Sequence, residues 1–345
     1  TLNGGAQLTW GAGGFVGTGG TQALLFGSAS SFGAVNFTNP IDLNGGTRTV
    51  TVTPNTNTGS DHATLSGVLS GAGSLVKTGN AVLRLTGANT YTGTTDVQQA
   101  TLVVASLGSS FGGLTSSVGA AGVPMTATNA LVLGNATANG ATLVYVGAGE
   151  TSDRMIRLRG TTGSIQIHAD GSGPLVLTNV RHDTTETGNK NLYLRGSSPY
   201  VNILSSALTN NGSGMLSLIV DGGTAWVLDN PGSSYTGNTT VSAGALGFGD
   251  AAAIPGPVFI GNGTVFAHGA DRTIANAVTF SNNANWGVNG GHSLTLTDAR
   301  LGTSANSNTL YNGILPGEAL VFQGLKADAL TGDRSFSLDG PGETV

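Results

Sequence analysis

One segment of the chain occurs twice, and this internal repeat limits the folds that the sequence can adopt. Residues 70–104, SGAGSLVKTGNAVLRLTGANTYTGTTDVQQATLVV, return as residues 213–248, SGMLSLIVDGGTAWVLDNPGSSYTGNTTVSAGALGF, so that Tyr91 aligns with Tyr235. A chain that repeats a short unit is usually an array in which each unit buries its apolar edge against its neighbour. The repeat therefore favours a stacked architecture over a single closed core.

The composition agrees with an ordered array that is poor in charge. The chain has 57 glycines among 345 residues, and its charged residues amount to 9%, whereas ordinary domains have about 25%. Apolar residues make up 39% and occur in short regular runs, which argues against disorder. The net charge of −5 is spread thinly and no basic face is visible, so we expect no nucleic-acid partner.

Several classes of protein are disfavoured by what the sequence lacks. The chain has no cysteine, which removes disulfides, thiolate catalysis and cysteine metal sites together. It has no run of about 18 apolar residues, so we expect no transmembrane segment. The opening TLNGGAQLTW has no basic region followed by an apolar one, so it does not resemble a signal peptide.

Short apolar or alternating runs bounded by Gly, Asn, Asp, Ser and Thr predict β-strands throughout the chain. The clearest runs are residues 22–27, 48–53, 81–87, 130–135, 141–147, 164–169, 174–180, 192–196, 215–222, 257–269 and 293–297. The two best helical candidates, residues 205–211 and 250–256, are short and end in residues that break helices. The sequence therefore predicts an all-β protein.

Two all-β architectures compete for these strands. Asn-Gly and Asp-Gly dipeptides occur, as in Asn44-Gly45 and Asp221-Gly222, and could support hairpins in a sandwich. The strands are, however, too short and too numerous to close one sandwich. If a coil takes roughly 20–25 residues and successive coils lie about 4.8 Å apart, the chain makes about 15 coils and a rod of about 70 Å. We predict one continuous parallel β-solenoid over residues 1–345, with irregular loop insertions.

The first copy of the repeat carries the pattern G-x-G-x-L-x-K-x-G-x-x-x-L-x-L-x-G-x-N-x-Y-x-G-x-T-x-V-x-x-x-x-L. Its signature residues are Gly71, Gly73, Leu75, Lys77, Gly79, Leu83, Leu85, Gly87, Asn89, Tyr91, Gly93, Thr95, Val97 and Leu102. The second copy keeps Tyr235, Gly237 and Val241, but has Val220 in place of the lysine and an inserted Pro231. This pattern resembles the autotransporter-associated β-strand repeat of bacterial surface passengers. The resemblance implies a right-handed parallel β-helix exposed outside the cell.

A second, shorter motif also recurs. Asp153-Arg154-Met155-Ile156 returns as Asp271-Arg272-Thr273-Ile274, and Asp333-Arg334-Ser335-Phe336 begins a third copy. The intervals between the copies differ, which indicates that the coils carry insertions of different length. The D-R-x-I segments are also similar to those of autotransporter repeat arrays.

The sequence contains catalytic residue types but no catalytic motif. Five histidines each lie near an aspartate, as a general base and its orienting partner would: His62, His168, His182, His268 and His292. Turns favour aspartate for conformational reasons, and no H-E-x-x-H, G-x-S-x-G or phosphate-binding loop occurs. We therefore expect no catalytic residue, no metal site and no cofactor.

Residues 180–191 are the most charged segment and interrupt the apolar rhythm, so we predict a protruding loop there. Its polar side chains form a candidate contact surface: Arg181, His182, Asp183, Glu186 and Lys190. Catalysis, contact with a partner and simple solvation all stay open for this loop. Elsewhere, we expect Tyr91 and Tyr235 to close turns rather than stack on sugars, and Lys77 to carry its charge at the edge of a coil.

Three functions follow from this fold. The first is a non-catalytic extracellular structural protein, a stalk or fibre subunit. Both ends of the sequence read as ordinary coils, and uncapped coils would stack copies of the chain end to end. The second is an adhesin that binds surface glycans or other cells. The third is a polysaccharide-degrading β-helix enzyme, which requires at least two carboxylates within about 10 Å on one face.

Overall fold

The computed structural model describes most of the chain and divides it into two compact units, residues 1–188 and 189–345. The described residues are 3–13, 15–18, 22–30, 33–58, 61–111, 115–122, 126–135, 140–182, 187–281, 286–302, 308–327 and 336–345. Short strands dominate both units. The helices within these ranges are two 3-10 turns, Asn3–Gly5 and Ala127–Asn129, and none has the length or apolar character needed to cross a membrane.

The first unit contains eighteen strands, which follow the apolar runs of the sequence. They are β1 (Leu8–Thr9), β2 (Ala23–Phe26), β3 (Val35–Phe37), β4 (Ile41–Asp42), β5 (Thr47–Val52), β6 (His62–Leu65), β7 (Leu69–Ser70), β8 (Ser74–Thr78), β9 (Val82–Leu85), β10 (Thr95–Val97), β11 (Ala100–Val104), β12 (Leu131–Leu133), β13 (Ala141–Tyr145), β14 (Glu150–Ser152), β15 (Ile156–Leu158), β16 (Ser164–Ala169), β17 (Leu175–Leu177) and β18 (Val180–His182). This count refers to the described ranges.

The strands of the second unit, again within the described ranges, continue the same style of short segments. They are β19 (Lys190–Gly196), β20 (Val201–Leu204), β21 (Leu216–Val220), β22 (Ala225–Leu228), β23 (Thr239–Val241), β24 (Ala245–Phe248), β25 (Val258–Ile260), β26 (Thr264–Ala267), β27 (Arg272–Phe280), β28 (Trp286–Gly290), β29 (Leu294–Leu301), β30 (Asn308–Ile314), β31 (Ala319–Phe322), β32 (Leu325–Ala327), β33 (Phe336–Asp339) and β34 (Glu343–Thr344).

In the first unit the strands form parallel ladders, in which each strand pairs with the equivalent strand of the next coil. The ladders run β1-β4-β7, β2-β5-β8-β10-β12-β15-β18 and β3-β6-β9-β11-β13-β16, and β14 pairs with β17. One inward row consists of Ala63, Leu83, Leu102, Leu143 and Ile167, which are register partners and fully buried. Side chains alternate between the two faces of a strand, so this register builds a continuous apolar core.

The second unit has the same construction. One ladder runs β19-β21-β23-β25-β27-β29-β31-β34, with β32 also on β29, and the other runs β20-β22-β24-β26-β28-β30-β33. Trp226, Leu246, Val265 and Val288 form a fully buried inward row, so the tryptophan takes a core position as expected from its alignment with Leu83. The predicted fold class, an all-β parallel solenoid, is confirmed for each unit. One continuous solenoid over residues 1–345 stays a prediction.

The two copies of the repeat fold in the same local register. In the first copy Leu75 of β8 pairs with Thr95 of β10, and in the second copy the aligned Leu218 of β21 pairs with Thr239 of β23. The next strands agree as well: β9 pairs with β11, and β22 pairs with β24. The sequence repeat is therefore a structural repeat of one coil and the strand pair that follows it.

Coil length varies because loops of different size are inserted between the strands. Leu83 and its partner Leu102 are 19 positions apart, whereas Ala100 and its partner Ala141 are 41 positions apart. The longer coil contains the segment between β11 and β12. A coil of roughly 20–25 residues, as the sequence suggested, describes many of the coils but not this one.

We expect Leu83→Ala to lower the free energy of unfolding by about 2–5 kcal/mol, because it removes buried methyl groups from an inward row that cannot collapse easily. Leu25, whose side chain is 68% exposed, is the matched control, and Leu25→Ala should change stability by less than about 0.5 kcal/mol. Urea unfolding followed by circular dichroism measures both. Similar losses for the two variants would contradict the inward assignment of Leu83.

Candidate functional site

The signature tyrosines have the same environment in both copies of the repeat. The Tyr91 hydroxyl shares a 2.5 Å hydrogen bond with Thr95 Oγ1, and the Tyr235 hydroxyl shares a 2.6 Å hydrogen bond with Thr239 Oγ1. Both rings are buried, and burial raises the pKa of each phenol to about 12. A buried ring has no face for a sugar, so these tyrosines act in the structure, as the sequence suggested.

The signature asparagine joins neighbouring segments of the backbone. Asn89 is buried, accepts a 2.8 Å hydrogen bond from the Leu69 N–H on its Oδ1, and donates from its Nδ2 to the Ser117 carbonyl at 2.7 Å. In the second copy Ser233 occupies the aligned position, and its Oγ accepts from the Leu208 N–H at 3.2 Å. The serine thus keeps the acceptor that the backbone requires, although the amide donor is lost.

Lys77 is buried, contrary to the expectation that its charge lies at the edge of a coil. Its Nζ donates to the carbonyl oxygens of Gly79 at 2.6 Å, Gln99 at 3.0 Å and Thr78 at 3.3 Å. Burial lowers the pKa of Lys77 to about 8. The ammonium group therefore satisfies backbone carbonyls at a turn, and the second copy fills the aligned position with buried Val220 instead.

Two signature glycines allow the backbones of successive coils to approach closely. Gly79 has φ +78°, and a Cβ there would lie 2.3 Å from the Val52 carbonyl oxygen. A Cβ at Gly237 would lie 2.1 Å from the Leu216 carbonyl oxygen. The other signature residues line the core or its close turns: Gly71, Gly73, Leu75, Leu83, Leu85, Gly87, Gly93, Val97 and Val241. The signature residues therefore contribute to the packing of the fold.

Tyr91→Phe tests the buried hydroxyl. At neutral pH the variant loses the bond to Thr95, and we expect about 1 kcal/mol less stability. The pKa of Tyr91 is about 10 in the unfolded chain and about 12 in the folded protein. Its titration therefore does not affect stability below pH 10, but it lowers stability as the pH rises from 10 towards 12. Denaturant titrations across that range should therefore show a shallower decline for Tyr91→Phe than for the native chain.

Half-exposed Tyr200 provides the control for the lost hydroxyl, and Tyr200→Phe should change stability at neutral pH by less than about 0.5 kcal/mol. Equal slopes for Tyr91→Phe and the native chain would show that the phenol of Tyr91 does not titrate differently in the folded protein.

The segment after β11 forms an anchored loop, whose described residues are 105–111 and 115–122. Arg154 of the first D-R-x-I segment is 1% exposed and holds this loop. Its Nε donates to the Leu107 carbonyl at 2.5 Å, and its Nη2 donates to the Gly119 carbonyl at 3.0 Å. Its Nη1 reaches the Asn129 carbonyl at 2.7 Å. One guanidinium thus connects the loop to the coil that follows it.

Two carboxylates complete the attachment of the anchored loop. Glu150 accepts hydrogen bonds from the Leu107 N–H at 2.6 Å and the Gly108 N–H at 3.3 Å, and burial raises the pKa of Glu150. Asp153 accepts from the Ser110 N–H at 2.8 Å. Its partial burial opposes ionisation, but the hydrogen bonds from Ser110 outweigh that effect, so the pKa of Asp153 is lowered. Both carboxylates thus hold the backbone of the anchored loop.

The anchored loop presents one apolar ring to solvent. Phe111 is 85% exposed, and its backbone N–H donates to Ser109 Oγ at 3.2 Å. Ser109 in turn donates to Asp153 Oδ1 at 3.1 Å. A ring held out on a fixed backbone is a suitable contact for a partner surface, because little conformational freedom is lost on binding.

The predicted contact loop is only partly described. Val180–His182 is strand β18, in which Arg181 is exposed, whereas Asp183 and Glu186 lie outside the described residues. Lys190 begins β19 and its side chain is 2% exposed, so it does not belong to an exposed contact surface as predicted. The sequence placed Lys190 on the surface because lysine is rarely buried. A contact role for Arg181 stays a prediction.

A shallow cavity of about 590 Å³ lies on the second unit, across strands β20, β22, β24, β26 and β28. It is lined by uncharged residues, most of them small: Ser198, Pro199, Val201, Gly223, Thr224, Ala225, Gly244, Ala245, Thr264, Phe266, Asn289 and Gly290. This lining contains no ionisable side chain. It offers an aromatic ring and neutral polar groups, which suit an uncharged ligand better than an ionic one.

Three potential metal ligands meet in the second unit, although the sequence predicted no metal site. Asp271, His292 and Glu318 place their ligand atoms within 4.8 Å of one another. Asp298 is the aspartate nearest to His292 along the sequence, but in the structure His292 Nδ1 lies 3.8 Å from Asp271 Oδ1. The grouping depends on the register of three coils, which no local motif reveals.

This group also bears on the enzyme alternative. Two carboxylates do lie within about 10 Å of each other, as that alternative requires. Neither Asp271 nor Glu318 lines the described cavity.

Known proteins place these features in context. The passenger-associated-transport-repeat family matches residues 75–104 and 208–247, which overlap both copies of the repeat. The adhesin BmaC autotransporter of Brucella suis biovar 1 (strain 1330) is 34% identical to the chain over 176 residues. That match covers 50% of this chain and 5% of the relative, so the chain spans only a small part of the length of that protein. No solved structure matches the chain.

Proposed function

Because the chain belongs to the autotransporter-associated β-strand repeat passengers, we propose that it is a non-catalytic β-solenoid segment displayed outside the bacterial cell, where it contributes adhesive surface. The observation that carries this proposal is the 34% identity to an adhesin over half of the chain. The fold of the chain is consistent with this proposal, because a parallel ladder can be extended by further coils that each pair with the one before.

The distribution of polar groups supports a non-catalytic role. Lys77, Glu150 and Arg154 are all used to hold turns or loops to the coils. Burial is the main cause of the shifted pKa of each of these three groups, and burial of this kind also occurs in structural networks. What the protein offers to a partner is instead a surface of neutral polar side chains with isolated apolar residues.

Two described surfaces suit adhesion. The anchored loop of the first unit holds Phe111 in solvent, and the cavity of the second unit offers Phe266 among neutral residues. An exposed aromatic ring contributes much of the free energy of a protein contact when a partner covers it. We assign the principal contact to Phe111, because its loop is fixed by hydrogen bonds and its ring is almost fully accessible.

Beads coated with the purified 345-residue chain test this function. We expect them to adhere to cultured animal cells or to immobilised glycans more than beads coated with an unrelated acidic protein. Phe111→Ser should reduce the number of bound beads at least about threefold, because it removes an exposed aromatic anchor. Leu25→Ser, also at an exposed apolar residue, is the matched control and should bind normally.

The adhesive proposal is rejected if beads coated with the native chain adhere no better than beads coated with the unrelated acidic protein. Normal adhesion by Phe111→Ser would reject the assigned contact while leaving the adhesive function in place. In that case Arg181→Ser, which replaces the exposed residue of strand β18, tests the contact loop that the sequence suggested.

The end-to-end association of copies, and with it a fibre or stalk role, stays a prediction from the sequence. End-to-end association is compatible with adhesion, since the ends of a chain could contact other copies while its exposed side chains contact a partner surface.

A further inference from the structure

Three successive coils of the second unit each place one metal-ligating residue at the same edge of a ladder. Asp271 directly precedes β27, His292 lies two residues before β29, and Glu318 directly precedes β31. These strands begin at nearly the same level, since Arg272 pairs with Leu294, and Leu294 pairs with Leu320, the second residue of β31. Stacking of the coils therefore brings together side chains that are far apart in sequence.

The distances between these groups are close to those of a metal site. Asp271 Oδ1 and His292 Nδ1 are 3.8 Å apart, and all three ligand atoms lie within 4.8 Å of one another. Ligands at about 2.0–2.1 Å from a tetrahedral ion are about 3.3 Å apart from each other. The side chains of Asp271 and His292 are 68% and 39% exposed, so small rotations suffice to close this difference.

The two carboxylates at this edge, Asp271 and Glu318, would be stabilised by a cation. Within the described ranges, Asp271 and Glu318 form no ion pair with a lysine or arginine, although their carboxylates face each other across Ser293. Two carboxylates at this distance repel each other unless a positive charge lies between them. The imidazole of His292 lies beside both carboxylates, and imidazole is the commonest metal ligand among protein side chains.

Ser293 fixes the orientation of both carboxylates. Its backbone N–H donates to Asp271 Oδ1 at 3.0 Å, and its Oγ donates to Glu318 Oε2 at 2.5 Å. The same Oγ accepts from the Ala319 N–H at 3.1 Å, which sets its own direction. Outer groups of this kind hold metal ligands in place and contribute strongly to affinity.

We propose that Asp271, His292 and Glu318 bind a divalent transition-metal ion of the Zn²⁺ type and so fasten three coils together. One imidazole nitrogen with two carboxylate oxygens is a donor set that zinc accepts, with water in the fourth position. Ca²⁺ and Mg²⁺ prefer six or more oxygen ligands and gain little from imidazole. The ion would act on the stability of the second unit, because binding to the folded state alone raises stability.

Calorimetric titration of the full chain with ZnCl₂ tests this site, together with thermal unfolding at the same zinc concentrations. We expect one saturable site and a rise in Tm that ethylenediaminetetraacetate reverses. His292→Ala should abolish the calorimetric site and the rise in Tm. His268→Ala, which removes a histidine outside the group, is the matched control and should retain both.

Two further variants separate specific binding from general attraction to acidic residues. Glu318→Gln keeps an acceptor for Ser293 but removes a charged ligand, and should lose zinc binding. Ser293→Ala should weaken it by about 10–100-fold, because the hydrogen bond from Ser293 Oγ that orients Glu318 disappears, while the backbone N–H bond to Asp271 remains. The proposal is overturned if zinc leaves the native chain unchanged, if His292→Ala binds as the native chain does, or if Ca²⁺ binds equally tightly.

Discussion

Backbone hydrogen bonding between parallel strands of successive coils decides where the other residues of this protein lie. Once Leu83 is paired with Leu102, every second residue of both strands must point inwards, and the inward row can only be apolar. The parallel pairing of β5 with β8 likewise leaves no space for a Cβ at Gly79, next to the Val52 carbonyl. Core composition and glycine placement are thus two consequences of parallel stacking in register.

Parallel coils leave backbone groups unpaired at their turns, and this protein satisfies them with buried polar side chains. Asn89, Lys77 and Arg154 each bond to carbonyl groups that no strand partner reaches. An unsatisfied buried carbonyl costs about 1–3 kcal/mol, so a few such residues matter to a fold with little charge. The ionisable groups in these turns hold the backbone through hydrogen bonds, and burial accounts for the lowered pKa of Lys77 and of Arg154.

The sequence predicted those features that depend on local periodicity. Strands such as β16 coincide with their apolar runs, and the aligned tyrosines share one environment because the repeat preserves Thr95 as Thr239. The burial of Lys77 was not predicted, since a lysine is placed by the carbonyl groups around it rather than by its own hydropathy. The grouping of Asp271 with Glu318 was also missed, because it depends on the length of every intervening loop.

The central claim is that successive coils lie in parallel register, and engineered cysteines test it directly because the chain has none of its own. Thr101 pairs with Thr142 on the next coil, and Thr142 pairs with Gln166 on the one after. Adjacent strands lie about 4.8 Å apart, within reach of a disulfide, whereas strands two coils apart are about 9.6 Å apart. Mild oxidation should cross-link Thr101→Cys/Thr142→Cys within one molecule and leave Thr101→Cys/Gln166→Cys reduced. The reverse pattern, or no cross-link in the first pair, would contradict the register on which the account depends.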